Sequence, residues 1–247
     1  MADLNTISSK LGLTAITERE RQFLKEYCTA MKPLTVALDI LQGEDKCFHG
    51  TLLPTMETLM LKTEALKSGL QILRDLPDAI VKAIKTRFAD VLGNEEAILA
   101  AVTLPKFKLR WLRSQELKDK AKASLLAECR KIVHEEPQPG TSSTCSHHTD
   151  SAKESDFFAF EEDEDTSSAE NQVADYIRSS EQNLNSLCGF SLIKKISLRY
   201  NAATPSSAPV ERLFSLGKLV FSLKRNRLSD KRFEKLLLLR YNHWFNC

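Results

Sequence analysis

The sequence predicts a mainly α-helical fold, and three observations carry that expectation. Apolar residues recur at spacings of three and four over most of the chain. Hydroxyl, proline and glycine residues stand where helices start and stop. No strand-rich stretch is long enough to build an independent sheet. With 247 residues, 42% of them apolar, the chain has the material for a real core.

The first helix is expected over 16–41, where Phe23, Leu24, Tyr27, Met31, Leu34, Leu38 and Leu41 form one inward face. Thr17 and Glu20 fit a capping box at its start. Pro33 removes a backbone donor and crowds the preceding turn, which predicts a kink or a split there. A loop over 43–50 leads to a second helix, 53–66, opened by Pro54 and carrying Met56, Leu59, Met60 and Leu66. The third helix starts near Pro77 and buries Ile80, Val81, Ile84, Phe88 and Val91 before Gly93 and Asn94 end it. A short helix over 95–102 precedes a break at Leu104 and Pro105. The stretch KFKLRWL, 106–112, alternates basic and apolar residues and reads as extended. Ser114 caps the next helix, which runs to residue 134 with Leu117, Ala121, Leu125, Cys129, Ile132 and Val133 inward.

Between 135 and 170 the periodicity disappears. The stretch holds eleven carboxylates against Lys153 alone, a net charge of −10, and is rich in Pro, Ser and Thr. Such a composition cannot offset its chain entropy by burial and reads as a disordered linker. Inside it, Phe157, Phe158 and Phe160 followed by five acids form an acidic-aromatic peptide, either a solvated linker or a partner-binding motif. Helices return over 171–187 and 192–200.

The most informative stretch is 200–245. Pro205, Ser206, Ser207 and Pro209 announce a helix whose orphan amides the hydroxyls would cap. Glu211 falls in its first turn, where the helix dipole favours a carboxylate. Lys224, Arg225 and Arg227 form a basic turn that suits phosphate contact, helix connection or carboxylate pairing. The last helix, 230–245, is capped by Ser229. It carries Phe233, Leu236, Leu237, Tyr241 and Trp244 on one face and Leu238, Leu239 and Phe245 on others. Apolar around most of its girth, it needs cover on two sides, as the centre of its own domain or against another chain.

Charge and composition also set limits. The net charge of +2 hides the acidic linker and a basic end, with nine Lys and Arg against three acids over 211–247. That basic end suits nucleic acid or solubility. The six cysteines lack paired spacing, so reduced thiols are expected. No run approaches the roughly 18 apolar residues that span a bilayer, and MADLNTISSK lacks a signal-peptide layout, so an intracellular protein off the membrane is expected. Cys145, His147 and His148 lack a second ligand pair, as do Cys47 and His49, so no metal site is expected. Asp39, Asp45, Asp78 and Asp90 read as helix surface and loop.

The run SSAPVERLFS, the turn LKRNRL and the leucine-rich end LRYNHWF resemble the carboxy-terminal dimerisation domain of hAT-superfamily transposases. The resemblance is carried by Pro205, Ser206, Ser207, Ala208, Glu211, Arg212, Phe214 and Ser215, then by 224–228 and 236–239. A weaker one covers AILAAVTLPKFKLRWL, 97–112, which is similar to a family segment reading Leu-Asp-Pro-Arg-Phe-Lys. It implies three parts: a helical, bundle-like insertion-type region over 1–134, the acidic disordered linker over 135–170, and an hAT-type dimerisation domain over 171–247. The last would hold the carboxy-terminal helices of a truncated ribonuclease-H-like core.

In that family two aspartates and one glutamate hold divalent metal for DNA strand transfer, and the resemblance places the glutamate at Glu211. Two hard cations about 4 Å apart need several carboxylates, and one does not suffice. The two aspartates belong upstream of the helical insertion, where this chain has no counterpart, and the family's zinc-finger module and Cys-x-x-His segment are also missing. The implied protein is a domesticated or truncated, non-catalytic, nuclear one, the alternative location being the cytoplasm. It would need no cofactor and would pair as a homodimer or with a related transposase-like protein, nucleic acid being the other partner class. The expected dimerisation residues are Phe233, Leu236, Leu237, Leu238, Leu239, Tyr241, Trp244 and Phe245. The alternative is a strand-transfer or nuclease subunit that takes its aspartates in trans and uses Glu211 with magnesium or manganese.

Overall fold

A computed structural model of the chain describes residues 6–7, 10–12, 14–43, 47–135, 164–221 and 228–245. Among the described residues the regular structure is helical, without a strand. In chain order the main helices are α1 (Glu18–Leu41), α2 (Leu52–Ala65), α3 (Leu76–Arg87), α4 (Glu95–Val102), α5 (Gln115–Glu135), α6 (Glu164–Arg178), α7 (Ser191–Tyr200), α8 (Ala208–Val220) and α9 (Asp230–Phe245). They form two compact units: Met1–Arg87 with Ala203–Cys247, and Phe88–Ala202. This division cuts across the three-part segmentation 1–134, 135–170 and 171–247, because composition marks the acidic stretch whereas packing joins segments remote in sequence.

In the first unit α1 packs on α2, α2 on α3, and α8 on α9. The capping box forms as expected: Thr17 Oγ1 accepts from Glu20 N at 3.2 Å while Glu20 Oε2 accepts from Thr17 N at 2.8 Å. The expected break at Pro33 is corrected, since α1 runs through it as one helix of 24 residues. One missing backbone donor is a local loss, and the buried Ala30 and Ala37 on either side hold the helix against its neighbours.

The inward face of α1 is a second correction. The residues it buries are Glu26, Ala30 and Ala37, whereas Phe23, Leu24, Tyr27 and Leu38 stand exposed and Met31, Leu34 and Leu41 are half-buried. The reason is polar. Glu26, 4% exposed, accepts from the amides of Ile72 at 2.8 Å and Leu73 at 3.0 Å and from Gln22 Nε2 at 2.9 Å. A buried carboxylate that loses such donors is costly, so its position dictates the rotation of the helix.

In the second unit α5 packs on α6, and α4, α5 and α6 each pack on α7. Its core gathers Val102, Leu125, Cys129, Val173, Tyr176, Ile193 and Ile196, each at most 1% exposed. Tyr176 Oη donates to Val102 O at 3.0 Å, satisfying a carbonyl at the end of α4, and its ring meets Phe190 edge-on at 5.4 Å. Gln172 Oε1 accepts from Leu192 N at 2.7 Å and so caps the start of α7 from α6. The stretch expected to be extended, 106–112, is instead a run of turns. Phe107 and Lys108 both donate their amides to Leu104 O, and Lys108 takes a left-handed φ of +48°. The buried Lys108 ammonium lies 4.8 Å from the Tyr176 ring centre and donates to Ser179 O, just past the end of α6. That arrangement rewards the unusual backbone with a cation at a helix carboxy terminus.

The carboxy-terminal end of the expected linker is also corrected. Helix α6 begins at Glu164, and Ala169 is wholly buried beside Val173 and Tyr176 at helical spacing. Carboxylates in a first turn are favoured by the helix dipole, so an acidic composition there is compatible with order. The expected linker over 136–163, including Phe157, Phe158 and Phe160, lies outside the described residues. Among the described cysteines, Cys28, Cys47, Cys129 and Cys188 are free, and burial pushes the Cys129 thiol up to about 12.

The Glu26 tie has a measurable consequence. Burial alone raises its carboxyl, but hydrogen bonds from Gln22 and from the amides of Leu73, Gln71 and Ile72 outweigh it and lower the value from 4.5 to about 2. A folded-state value below the unfolded one stabilises the fold above pH 4.5, and that contribution is lost as pH falls toward 2. Glu26→Gln should therefore lower stability at neutral pH and flatten its decline across that acid range, read by denaturant unfolding at several pH values. An unchanged acid profile would contradict the tie.

Candidate functional site

The carboxy-terminal motif builds a junction inside the first unit. In α8, Pro209 occupies the first turn and Glu211 the same turn, as the sequence implies. The two serines do not cap the helix amides, which corrects that expectation. Ser206 Oγ donates to Leu41 O at 2.9 Å, and Ser207 Oγ donates to Glu211 Oε1 at 2.7 Å. Arg212 reaches Gln42 O through Nη2, and Cys47 Sγ donates to Leu41 O at 3.3 Å. The start of α8 thus satisfies carbonyls that the end of α1 leaves orphaned, with a cation where the helix dipole is negative. Around this junction Leu41, Gly43, Cys47, Pro205, Pro209 and Tyr241 help line a cavity of about 120 Å³. Burial raises the Cys47 thiol.

Glu211 itself is exposed, with Ser207 as its side-chain partner. Among the described residues no group of three or more His, Cys, Asp or Glu side chains converges as a metal site. Asp39, Asp78 and Asp90 are exposed, and Asp78 pairs with Lys67. Asp45, Cys145, His147, His148 and the basic residues Lys224, Arg225 and Arg227 lie outside the described residues.

The expected dimerisation residues divide into two groups. Phe233, Leu237 and Tyr241, spaced four apart on α9, are half-buried. Phe233 packs edge-on against Phe221 with ring centres 6.0 Å apart, and it passes over Gly217, where an added Cβ would lie only 3.3 Å from its Cζ. These residues therefore spend part of their surface within the unit. Leu236, Leu238 and Leu239 are exposed, Leu239 at 68%. The side chains of Trp244 and Phe245 lie outside the described residues.

Helix α8 adds residues that the wheel of α9 alone does not reveal. Val210, Phe214 and Leu219 are exposed, as is Phe221 just beyond the helix, with Phe214 again at 68%. Their sequence signal is an apolar run over 210–221 with more large side chains than one buried stripe accommodates. The wider distribution is just as uneven. Among the described residues every exposed large apolar side chain belongs to the first unit except Phe88, Leu117, Leu184 and Leu198.

The arrangement can bury apolar surface against another chain through α8 and α9 while the junction at Leu41 and Gln42 holds their start in place. No helix among the described residues is long and apolar enough to cross a membrane. No protein-family model matches the chain, and neither a curated protein nor a solved structure does.

Proposed function

We propose that this chain is a transposase-derived, non-catalytic interaction protein that self-associates through α8 and α9. The observation that carries this reading is the exposure of Val210, Phe214, Leu236, Leu238 and Leu239 on two helices already packed on each other. Phe233, Leu237 and Tyr241 complete the α9 face by joining it to its own unit, so one side of the helix faces inward and the other outward. The descent from a ribonuclease-H-like core rests on the resemblance over 205–239, and a nuclear location follows from that descent. Glu211 is then a helix-start residue, and among the described residues no set of carboxylates converges on it. Homodimer formation is the simplest assembly because one isologous patch serves both subunits. The basic residues Lys224, Arg225 and Arg227 supply a second, weaker contact to DNA phosphates.

Burying a leucine contributes about 1.5–3 kcal/mol, so placing two carboxylates at its interface positions should weaken association by more than about a hundredfold. At low micromolar concentration, light scattering should give the wild type twice the 27.9 kDa chain mass and Leu238→Glu/Leu239→Glu a single chain mass. A monomeric wild type, or a double variant of unchanged mass, overturns the reading. The DNA contact should weaken steeply as salt rises, and binding indifferent to salt would remove that part.

A further inference from the structure

The second unit carries a helix face that neither its core nor the motif over 205–239 uses. Helix α7 reads SLIKKISLRY, with three cations and no acid in its 10 residues. Leu192, Ile193, Ile196 and Ser197 are buried, so the opposite side faces out. On that side Leu198, 67% exposed, stands between Lys194 on one flank and Lys195 and Arg199 on the other, all exposed. Of the acids near Arg199, Glu128 already accepts from Lys131 and Tyr200. A leucine flanked by cations fits an occupant that is apolar and acidic at once.

We propose that the occupant is the acidic-aromatic segment of the same chain, with Phe157, Phe158 and Phe160 covering Leu198 and Glu161, Glu162 and Asp163 pairing with the three cations. This segment belongs to the same unit as α7, lies outside the described residues, and joins α6 at Glu164. That junction brings it within reach. Gln172 Oε1 accepts from Leu192 N at 2.7 Å, so the middle of α6 touches the start of α7. Helix α6 rises about 12 Å from Glu164 to Gln172, whereas the stretch from Phe157 to Glu164 reaches up to about 25 Å when extended. Attachment at Glu164 holds the segment at an effective concentration on the order of millimolar, so ion pairs that are individually weak suffice to form the contact. A second copy offers the same peptide only at its bulk concentration, which favours the contact within one chain. A phosphate contact would use the cations but gain little from Leu198 at their centre.

Hydroxyl-radical footprinting of the full chain at one low concentration tests the contact. Leu198 should oxidise slowly in the wild type and severalfold faster in Phe157→Ser/Phe158→Ser/Phe160→Ser, while the far-ultraviolet circular dichroism of both stays helical. A zero-length carbodiimide should join Lys194 or Lys195 to Glu161, Glu162 or Asp163. In a mixture of isotopically light and heavy chains, each such link should fall within one chain. Equal reactivity of Leu198 in the wild type and the triple variant would overturn the proposal. Links that mix light and heavy chains would assign the face to a second copy and overturn it as well. So would protection of Leu198 that appears only on adding a short DNA duplex, equally in the triple variant, since the occupant would then be phosphate.

Discussion

An amphipathic helix can turn only one stripe toward its neighbours, and on α1 that stripe is chosen by a carboxylate. Glu26 is held by the amides of Ile72 and Leu73 in the segment that precedes α3, so the helix cannot rotate without leaving a buried charge short of donors. The small side chains of Ala30 and Ala37 on the same side allow close approach to α2. With that side inward, Phe23, Leu24, Tyr27 and Leu38 have to face out, although hydropathy alone would bury them. The end of the same helix then presents Leu41 O and Gln42 O, which Ser206 and Arg212 take up. The polar ties of α1 therefore govern both which apolar side chains it leaves exposed and the anchorage of the carboxy-terminal helices.

The second unit resolves the same problem differently. Many of its apolar side chains meet in one core, and several of its polar groups find partners there. Tyr176 serves Val102 O, Asn201 serves Ala100 O at 3.1 Å, and Tyr200 Oη donates to Glu128 Oε2 at 3.1 Å. Hydrogen bonds from Lys131 and then Tyr200 lower the Glu128 carboxyl against the opposing effect of burial. This unit leaves only Phe88, Leu117, Leu184 and Leu198 among its described large apolar side chains exposed, whereas the first leaves apolar area on α1, α8 and α9.

Much of the helix layout was legible in the sequence, because its signals are local. The Thr17–Glu20 box and the Pro209 start each act within a few residues, and those helices begin where expected. What escaped were long-range choices. The partners of Glu26 stand 46 and 47 residues away, so no helical wheel of α1 reveals which face they claim. The start of α6 was hidden because its first residues are acidic, a trait shared by linkers and by helix amino termini. Lys108 turned an alternating pattern into turns by adopting a positive φ that its residue type rarely takes. On α9 the periodicity identified the right leucines but could not divide them between Phe221, Gly217 and solvent.

The claim at the centre is that the outward leucines and phenylalanine of the first unit are covered by another copy. Hydroxyl-radical footprinting of side chains, carried out across a concentration series on the wild type, tests this directly. Phe214, Leu238 and Leu239 should become protected as concentration rises, while Leu198, 67% exposed in the second unit, stays equally reactive throughout. Constant reactivity at Phe214, Leu238 and Leu239 over the whole series would contradict the claim.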